Sequence, residues 1–152
     1  MQRPNHPPRN RESRIVLDGQ GRFWHDGERV RHAGLHRAFA RWLDRHPTDG
    51  RFVLKNREDW CYVTVEDTPF FVTRLHLDGE VPELSLFDES REPLRPDALW
   101  VDDAGVLRTL VKNGRFEARF LRAAQLQVAP LLDADEPWVL WLGGRRYSLR
   151  RA

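Results

Sequence analysis

The sequence predicts an α+β protein made of two small, related α+β units. Three observations lead to this prediction. Short apolar strands alternate with Asp-Gly and Asn-Gly turns, the first half contains one clear amphipathic helix, and the two halves have a similar order of parts. The 152 residues have the length of about one ordinary domain, and 40% of them are hydrophobic, which suffices for a core.

Residues 1–14 contain three prolines and no apolar periodicity, which predicts a mobile tail. The stretch from Ile15 to Val30 then predicts a β-meander that turns at Asp18-Gly19 and at Asp26-Gly27. An apolar stripe at helical spacing predicts a helix over about 33–45, which Pro47 stops. The stripe consists of Leu35, Ala38, Phe39, Trp42 and Leu43.

Strands are predicted next at 51–55, 60–66 and 70–77, with Asp67-Thr68-Pro69 as the turn between the last two. Residues 78–83 form a polar break. The first unit is therefore predicted to span 15–80 and the second unit 81–152.

The second unit is predicted to be mostly β-structure. Strands are expected at 84–87, 99–101 and 106–111, a short helix near 115–122, and further strands near 124–131, 137–142 and 146–149. Tryptophans recur between the halves, because the step from Trp24 to Trp100 is nearly the same as the step from Trp60 to Trp138. Both steps are close to half the chain length, which favours an internal duplication.

Composition excludes several classes of protein. A single cysteine excludes a disulfide scaffold and a four-cysteine zinc site. Residues 1–14 lack the apolar stretch of a secretory signal peptide, and no run has the length of a membrane span. We therefore expect a cytoplasmic protein.

The net charge of +2 conceals a separation of charge along the chain. Residues 58–103 contain thirteen acidic and three basic side chains, while the segments on both sides are basic. This distribution predicts that an acidic middle segment faces basic flanks inside the molecule.

Several motifs resemble those of the bacterial family called domain of unknown function 1285. They are Leu17 to Gly27, Leu35 to Phe39, Asp49 to Leu54, Val65 to Phe70, Pro93 to Arg95, Asn113-Gly114, Glu117 to Arg122, and Leu142 to Gly144. The resemblance implies a duplicated α+β core whose C-terminal unit is a β-roll with superficial similarity to pleckstrin-homology folds. It also implies a ligand site between the halves and a link to signalling, and it brings no enzymatic activity.

One face of the predicted 60–66 strand is aromatic, because Trp60 and Tyr62 alternate with aliphatic residues. If the 70–77 strand pairs with it, Arg74 joins that face across the hairpin. The face is then either a stacking platform for a base or a peptide, with Arg74 as an anion contact, or a surface packed against the other half.

Two carboxylates and three arginines complete the candidate ligand site. Glu66 and Asp67 point to opposite faces of a strand, which disfavours a catalytic pair and favours a turn residue and an arginine partner. The resemblance places both in its most specific motif. It also marks Arg95, Arg119 and Arg122, which would either lock the halves together or bind an anionic ligand between them.

Nothing in the sequence predicts a catalytic residue, a metal site or a cofactor. His32 and His36 lack the rest of a metalloprotease motif, and Cys61 lies within an apolar strand.

The sequence thus favours a non-enzymatic binding or signalling module whose partner is a small anionic or nucleotide-like ligand, or a protein segment, held between the halves. An alternative is a nucleic-acid binder that uses the basic tail, the helix arginines and the arginines near the C-terminus. They are Arg37, Arg41, Arg45, Arg145, Arg146, Arg150 and Arg151. A third, less favoured alternative is a metal-dependent hydrolase. The oligomeric state is not predicted.

Overall fold

The computed structural model describes residues 10–151, and the first part of the predicted tail, residues 1–9, lies outside this range. The described chain is an α+β structure, mostly of strands. The strands are β1 Ile15–Leu17, β2 Phe23–His25, β3 Glu28–Arg29, β4 Leu43–Arg45, β5 Phe52–Lys55, β6 Trp60–Tyr62, β7 Thr64–Val65, β8 Phe70–His76, β9 Glu83–Leu86, β10 Arg91–Pro93, β11 Leu99–Val101, β12 Leu107–Val111, β13 Phe116–Phe120, β14 Val139–Leu142, β15 Arg145–Ser148 and β16 Arg150–Arg151. The helices are α1 Ala33–Trp42 and α2 Arg122–Val128, with 3₁₀ turns at Pro96–Ala98 and Ala129–Leu131.

One seven-stranded sheet has the order β10-β9-β8-β13-β12-β11-β16. One of its inner strands, β8, ends the first predicted unit, yet it pairs in parallel with β13 and antiparallel with β9. The predicted boundary at residue 80 therefore lies between two strands of one sheet. Smaller sheets have the orders β3-β2-β1-β7, β4-β5-β6 and β14-β15.

The core joins residues from the whole described chain into one apolar cluster. Phe71 on β8 is fully buried, and the ring of Phe87 packs edge-on against it at 5.3 Å. Phe87 also stacks on Phe23 of β2 at 6.0 Å. Residues on both sides of the predicted boundary thus share buried surface, as two units too small to bury separate cores would be expected to do.

Two turns have the same set of hydrogen bonds. In the first, one carboxylate oxygen of Asp18 accepts the backbone N–H groups of Gln20 and Arg22, and the other accepts the Trp24 indole N–H at 2.8 Å. In the second, Asp102 accepts the N–H groups two and four positions further on, and its other oxygen accepts from Arg108 Nε at 2.9 Å. In each turn a glycine of positive φ follows at the third position after the aspartate.

The strands beside these turns also match. β1 pairs in parallel with β7, and β11 pairs in parallel with β16. Val16 and Trp100 hold equivalent places in these pairs, and Arg108 follows Asp102 at the same distance as Trp24 follows Asp18.

Three predicted elements are wrong. Helix α1 ends at Trp42 rather than near residue 45, because the buried Leu43 pairs with Leu54 in a sheet. The helix predicted near 115–122 is instead strand β13, in which alternate residues are buried. The strand predicted near 124–131 is instead helix α2 and a 3₁₀ turn, with Ala124 and Val128 buried one helical turn apart.

Residues 10–14, at the end of the predicted tail, lie beside β6. The backbone carbonyl of Arg11 accepts the N–H of Tyr62 at 2.7 Å, and the Arg11 guanidinium donates to the Trp60 carbonyl at 2.9 Å. Arg11 also pairs with Asp59, and the Ser13 hydroxyl donates to the Tyr62 carbonyl.

Gly21 and Gly27 provide a matched test of packing. Both have a positive φ, of 78° and 77°, so alanine at either position costs roughly 1 kcal/mol of backbone strain. A Cβ on Gly21 would also lie 3.3 Å from the ring of the buried Phe71, whereas a Cβ on Gly27 meets nothing within 4 Å. We expect Gly21→Ala to lower the free energy of unfolding by about 2–3 kcal/mol and Gly27→Ala by about 1 kcal/mol. Urea unfolding measures both values, and equal losses would contradict the packing argument.

Candidate functional site

An ion cluster joins the middle of the chain to the second half. Both guanidinium Nη atoms of Arg108 donate to Asp67, at 2.7 and 2.9 Å. The Nε of Arg108 donates to Asp102, and Arg119 Nη1 lies 3.3 Å from Asp67. Arg119 also donates to the carbonyl of Gly19, which ties the cluster to the first turn at 3.2 Å.

The charged groups of the cluster are paired with one another. The Asp67 and Arg108 side chains are 27% and 16% exposed. Hydrogen bonds from Arg108 hold the pKa of Asp67 below its usual value, against the raising effect of partial burial. In return, Asp67 raises the pKa of Arg108. Asp67 is therefore a charged anchor, and neither of its oxygens is without a donor.

The other candidate residues occupy different places. Arg95 lines a cavity at the turn end of the β12–β13 hairpin, whereas Arg119 lies at the opposite end of that hairpin, opposite Arg108. Arg122 is exposed at the start of α2, and the side chain of Glu66 lies on the surface next to the cluster. The structure thus brings Arg119 and Asp67 together and leaves Arg95 at the far end of the hairpin.

The predicted hairpin that joins Arg74 to the aromatic face is wrong. β6, which carries Trp60 and Tyr62, pairs with β5, whereas β8, which carries Arg74, pairs with β9 and β13. The chain changes sheet between them, because β7 pairs with β1. Arg74 is exposed on a different sheet from the aromatic residues.

Trp60 and Tyr62 belong to an aromatic cluster with His46. The ring centroids of Trp60 and Tyr62 are 5.2 Å apart, and those of His46 and Tyr62 are 5.8 Å apart. The Arg51 guanidinium lies 3.6 Å from the Tyr62 ring centroid. The Tyr62 hydroxyl donates to Asp49 at 2.5 Å, which raises the pKa of Tyr62 and lowers that of Asp49.

Next to this cluster is a cavity of about 560 Å³, here called the cationic cavity. Residues of both halves line it. The first half provides Asp44, Arg45, His46, Pro47, Thr48, Gly50, Val53, Lys55 and Trp60, and the second half provides Arg115.

Neighbouring groups fix the orientation of Arg45 in the cationic cavity. Its guanidinium donates to the carbonyls of Gly50 and Arg115 and lies 4.8 Å from the Phe52 ring centroid. Arg115 makes an exposed ion pair of 3.4 Å with Asp44. Within residues 10–151, no carboxylate lies within ion-pair distance of Lys55. The cavity is thus lined by three cations, one carboxylate, an imidazole and an indole ring, a combination that suits an anion with a planar group.

Sequence reasoning missed Arg45 as a cavity residue and missed Arg108, Lys55 and Arg115 altogether as site residues. A signal existed for Arg108, which follows an Asp-x-x-Gly turn at the same distance as Trp24 follows Asp18. No local signal links Arg115 to residues 44–60, because the sheet packing alone brings them together.

The histidines that the sequence singled out lie near the start of α1. Within residues 10–151, no three His, Cys, Asp or Glu side chains are grouped to hold a metal ion. His32 accepts the Leu35 N–H at the start of α1, and His36 Nε2 lies 2.9 Å from the Gly21 carbonyl. Neither of the two helices described is long and apolar enough to cross a membrane.

Comparison with solved structures identifies the fold. The chain is similar to a domain of unknown function 1285 family protein from Silicibacter pomeroyi DSS-3, with a TM-score of 0.71 and 20% identity over 95% of this chain and 84% of that one. It is also similar to a protein described by the same family name from Shewanella baltica OS155, with a TM-score of 0.57 and 16% identity over 72% of this chain and 85% of that one. No protein-family model and no curated protein match the chain. The resemblance seen in the sequence is thus confirmed at the level of the fold.

Proposed function

We propose that this protein is a binding module that recognises a small anionic, nucleotide-like ligand in the cationic cavity. The observation that carries this proposal is the convergence of Arg45, Lys55 and Arg115 on a cavity lined by Trp60. Cavities of this size accommodate small molecules. Cations bind the anionic group, and the indole ring stacks on the planar group.

In this proposal the ion cluster of Asp67, Arg108, Asp102 and Arg119 has a supporting role. It fixes the middle segment against the second half, and its arginines already have carboxylate partners. Asp67, held ionised by two arginines, is a poor general acid.

We also propose that residues 15–65 and 99–151 are copies of one ancestral unit. The matching turns at Asp18 and Asp102 and the matching parallel strand pairs support this proposal. In both segments, the residue between two strands after the helix donates its N–H to a carbonyl eleven positions earlier: Val63 to Phe52, and Leu149 to Trp138. The pleckstrin-homology similarity and the link to signalling remain predictions from the resemblance.

The test is calorimetric titration with adenosine monophosphate, adenosine diphosphate and inorganic phosphate. We expect a nucleotide to bind more tightly than phosphate, and we expect Lys55→Glu with Arg115→Glu to weaken binding at least about tenfold, since two charges are reversed in the cavity. Arg74→Glu with Arg122→Glu is the matched control, because both arginines are exposed and lie outside the cavity.

Two results would contradict the proposal. If the control double variant lost binding and the cavity double variant kept it, the ligand would bind at Arg74 and Arg122, which the sequence indicated, rather than in the cationic cavity. Preferential binding of a short single-stranded oligonucleotide, weakened steeply by salt, would favour the nucleic-acid alternative. Against that alternative, Arg37 and Arg41 of the helix stripe already pair with Glu89.

A further inference from the structure

The β3 edge of the four-stranded sheet has no neighbouring strand among the described residues, and its counterpart in the other half does. β3 lies at the end of the order β3-β2-β1-β7, while β13, the corresponding strand after the second turn, is covered by β8. The strand before each turn and the two strands after it thus form a similar arrangement, but only the one that ends in β13 has a further strand, β8, at its edge.

The exposed edge presents a backbone donor. The N–H of Val30, directly after β3, donates to Phe23 of β2 at 2.8 Å, and since successive N–H groups of a strand alternate in direction, that of Arg29 points away from β2. At the covered edge, the N–H of Leu121 points to β8 and donates to the Val72 carbonyl at 2.9 Å. A strand that runs parallel to β3 would accept the N–H of Arg29 in the same way.

The surroundings of the edge are basic. A cavity of about 400 Å³ lies between β3, α1 and the β9–β10 turn, and its charged residues are Arg29, Arg31, Arg37 and Glu89. Glu89 lies 3.5 Å from Arg37. In the described part of the chain, no carboxylate is within ion-pair distance of Arg29 or Arg31. At the covered edge, by contrast, Arg119 lies beside Asp67, the acidic residue three positions before β8.

We propose that the β3 edge binds an extended acidic segment of a partner protein, which adds as a strand parallel to β3. Its acidic residue precedes an apolar stretch and pairs with Arg29, as Asp67 pairs with Arg119. Main-chain hydrogen bonds supply affinity, and the arginines select the acidic sequence. Residues 1–9 of this chain contain two arginines and no acidic residue, so their charge does not suit this edge.

The probe for the test is a capped peptide with the sequence of residues 66–73, Glu-Asp-Thr-Pro-Phe-Phe-Val-Thr, which is the segment that begins the covering strand. Fluorescence anisotropy of the labelled peptide measures affinity, and amide shifts in ¹⁵N spectra of the full chain locate the site. We expect shifts at Arg29 and Arg31. We also expect at least about tenfold weaker binding to Arg29→Glu with Arg31→Glu, and to the wild-type protein when Gln-Asn replaces Glu-Asp in the peptide.

The control variant is Arg145→Glu with Arg150→Glu, two exposed arginines on other strands, which is expected to bind within about twofold of the wild type. Absence of shifts at Arg29 and Arg31 at millimolar peptide would overturn the proposal. Equal binding of the neutral peptide would overturn the acidic specificity. Peptide-independent dimers that are lost in the β3 variant would assign the edge to a second copy of the chain instead, and displacement of the peptide by an equal concentration of a short oligonucleotide would assign it to nucleic acid.

Discussion

Replacement of Arg108 by alanine is expected to lower the free energy of unfolding by about 2–3 kcal/mol at pH 7. The change removes three hydrogen bonds from one guanidinium and leaves Asp67 and Asp102 without their main cationic partner. These carboxylate side chains are only 27% and 18% exposed, so water restores only part of the lost solvation. Urea unfolding monitored by tryptophan fluorescence measures the loss.

The effect of Arg108→Ala is expected to depend on pH. Arg108 lowers the pKa of Asp67 in the folded protein, so the ion pair contributes stability above the unfolded carboxylate pKa of about 4. This contribution is lost as the pH falls through the folded pKa. The difference in stability between the wild type and the variant should therefore begin to shrink below about pH 4 and disappear only below the folded pKa of Asp67. An undiminished difference at pH 3 would show that lost packing, not charge, explains the effect.

Arg91→Ala is the matched control for Arg108→Ala. Arg91 makes a single ion pair with Glu83, and both side chains are well exposed. The expected loss is below about 1 kcal/mol, with little dependence on pH. Equal losses in the two variants would contradict the structural role of the cluster.

Replacement of Asp18 by alanine is expected to cost about 3 kcal/mol of stability. The carboxylate is almost buried and accepts N–H groups from Gln20, Arg22 and Trp24, which lose their acceptor together. Burial acts to raise the pKa of Asp18, but the bonds from Trp24 and from the backbone outweigh it and lower the pKa. The turn is thus built on an ionised aspartate.

Asp18→Asn separates the two oxygens of the carboxylate. Its amide oxygen can still accept the backbone N–H groups of Gln20 and Arg22. Its NH₂ group, however, would face the side-chain Nε–H of Arg22 and the indole N–H of Trp24. We expect a loss of about 1–2 kcal/mol, smaller than for alanine. The control Asp103→Ala, at an exposed neighbour of Asp102, should stay within about 0.5 kcal/mol of the wild type. Thermal and urea unfolding check these values, and an asparagine variant as stable as the wild type would contradict the proposed bonding.

Local sequence signals predicted the meander correctly, as well as the approximate ends of most of the strands that they indicated. The Asp-Gly turns at residues 18 and 26 lie where the sequence places them, since turn geometry depends on neighbouring residues alone. The secondary structure of residues 116–128 was predicted wrongly because it depends on more than neighbouring residues. Phe116 and Phe120 fit both a helix and a strand period, and the decision depends on β8, a strand far away in the sequence.

Of the candidate site, the sequence predicted only that acidic residues of the middle segment form ion pairs with basic residues. The acidic middle does face basic residues, as Asp67 shows with Arg108 and Arg119. The sequence could not show which arginines form ion pairs with these carboxylates, because that depends on the order of strands in the sheet. Arg95 and Arg119 share a predicted role but lie at opposite ends of a hairpin, whereas Arg115 and Lys55, from different halves, meet at one cavity.

The position of β8 in the seven-stranded sheet has a consequence for how the chain folds. Its parallel partner β13 is made later in synthesis, so the sheet centre cannot close while only the first half has left the ribosome. Pairing over such a sequence separation has a high contact order and predicts slow folding for a chain of this size. Until β13 arrives, the apolar strand Phe70–His76 remains without its central partner, and this is the stage at which the growing chain is most prone to aggregate.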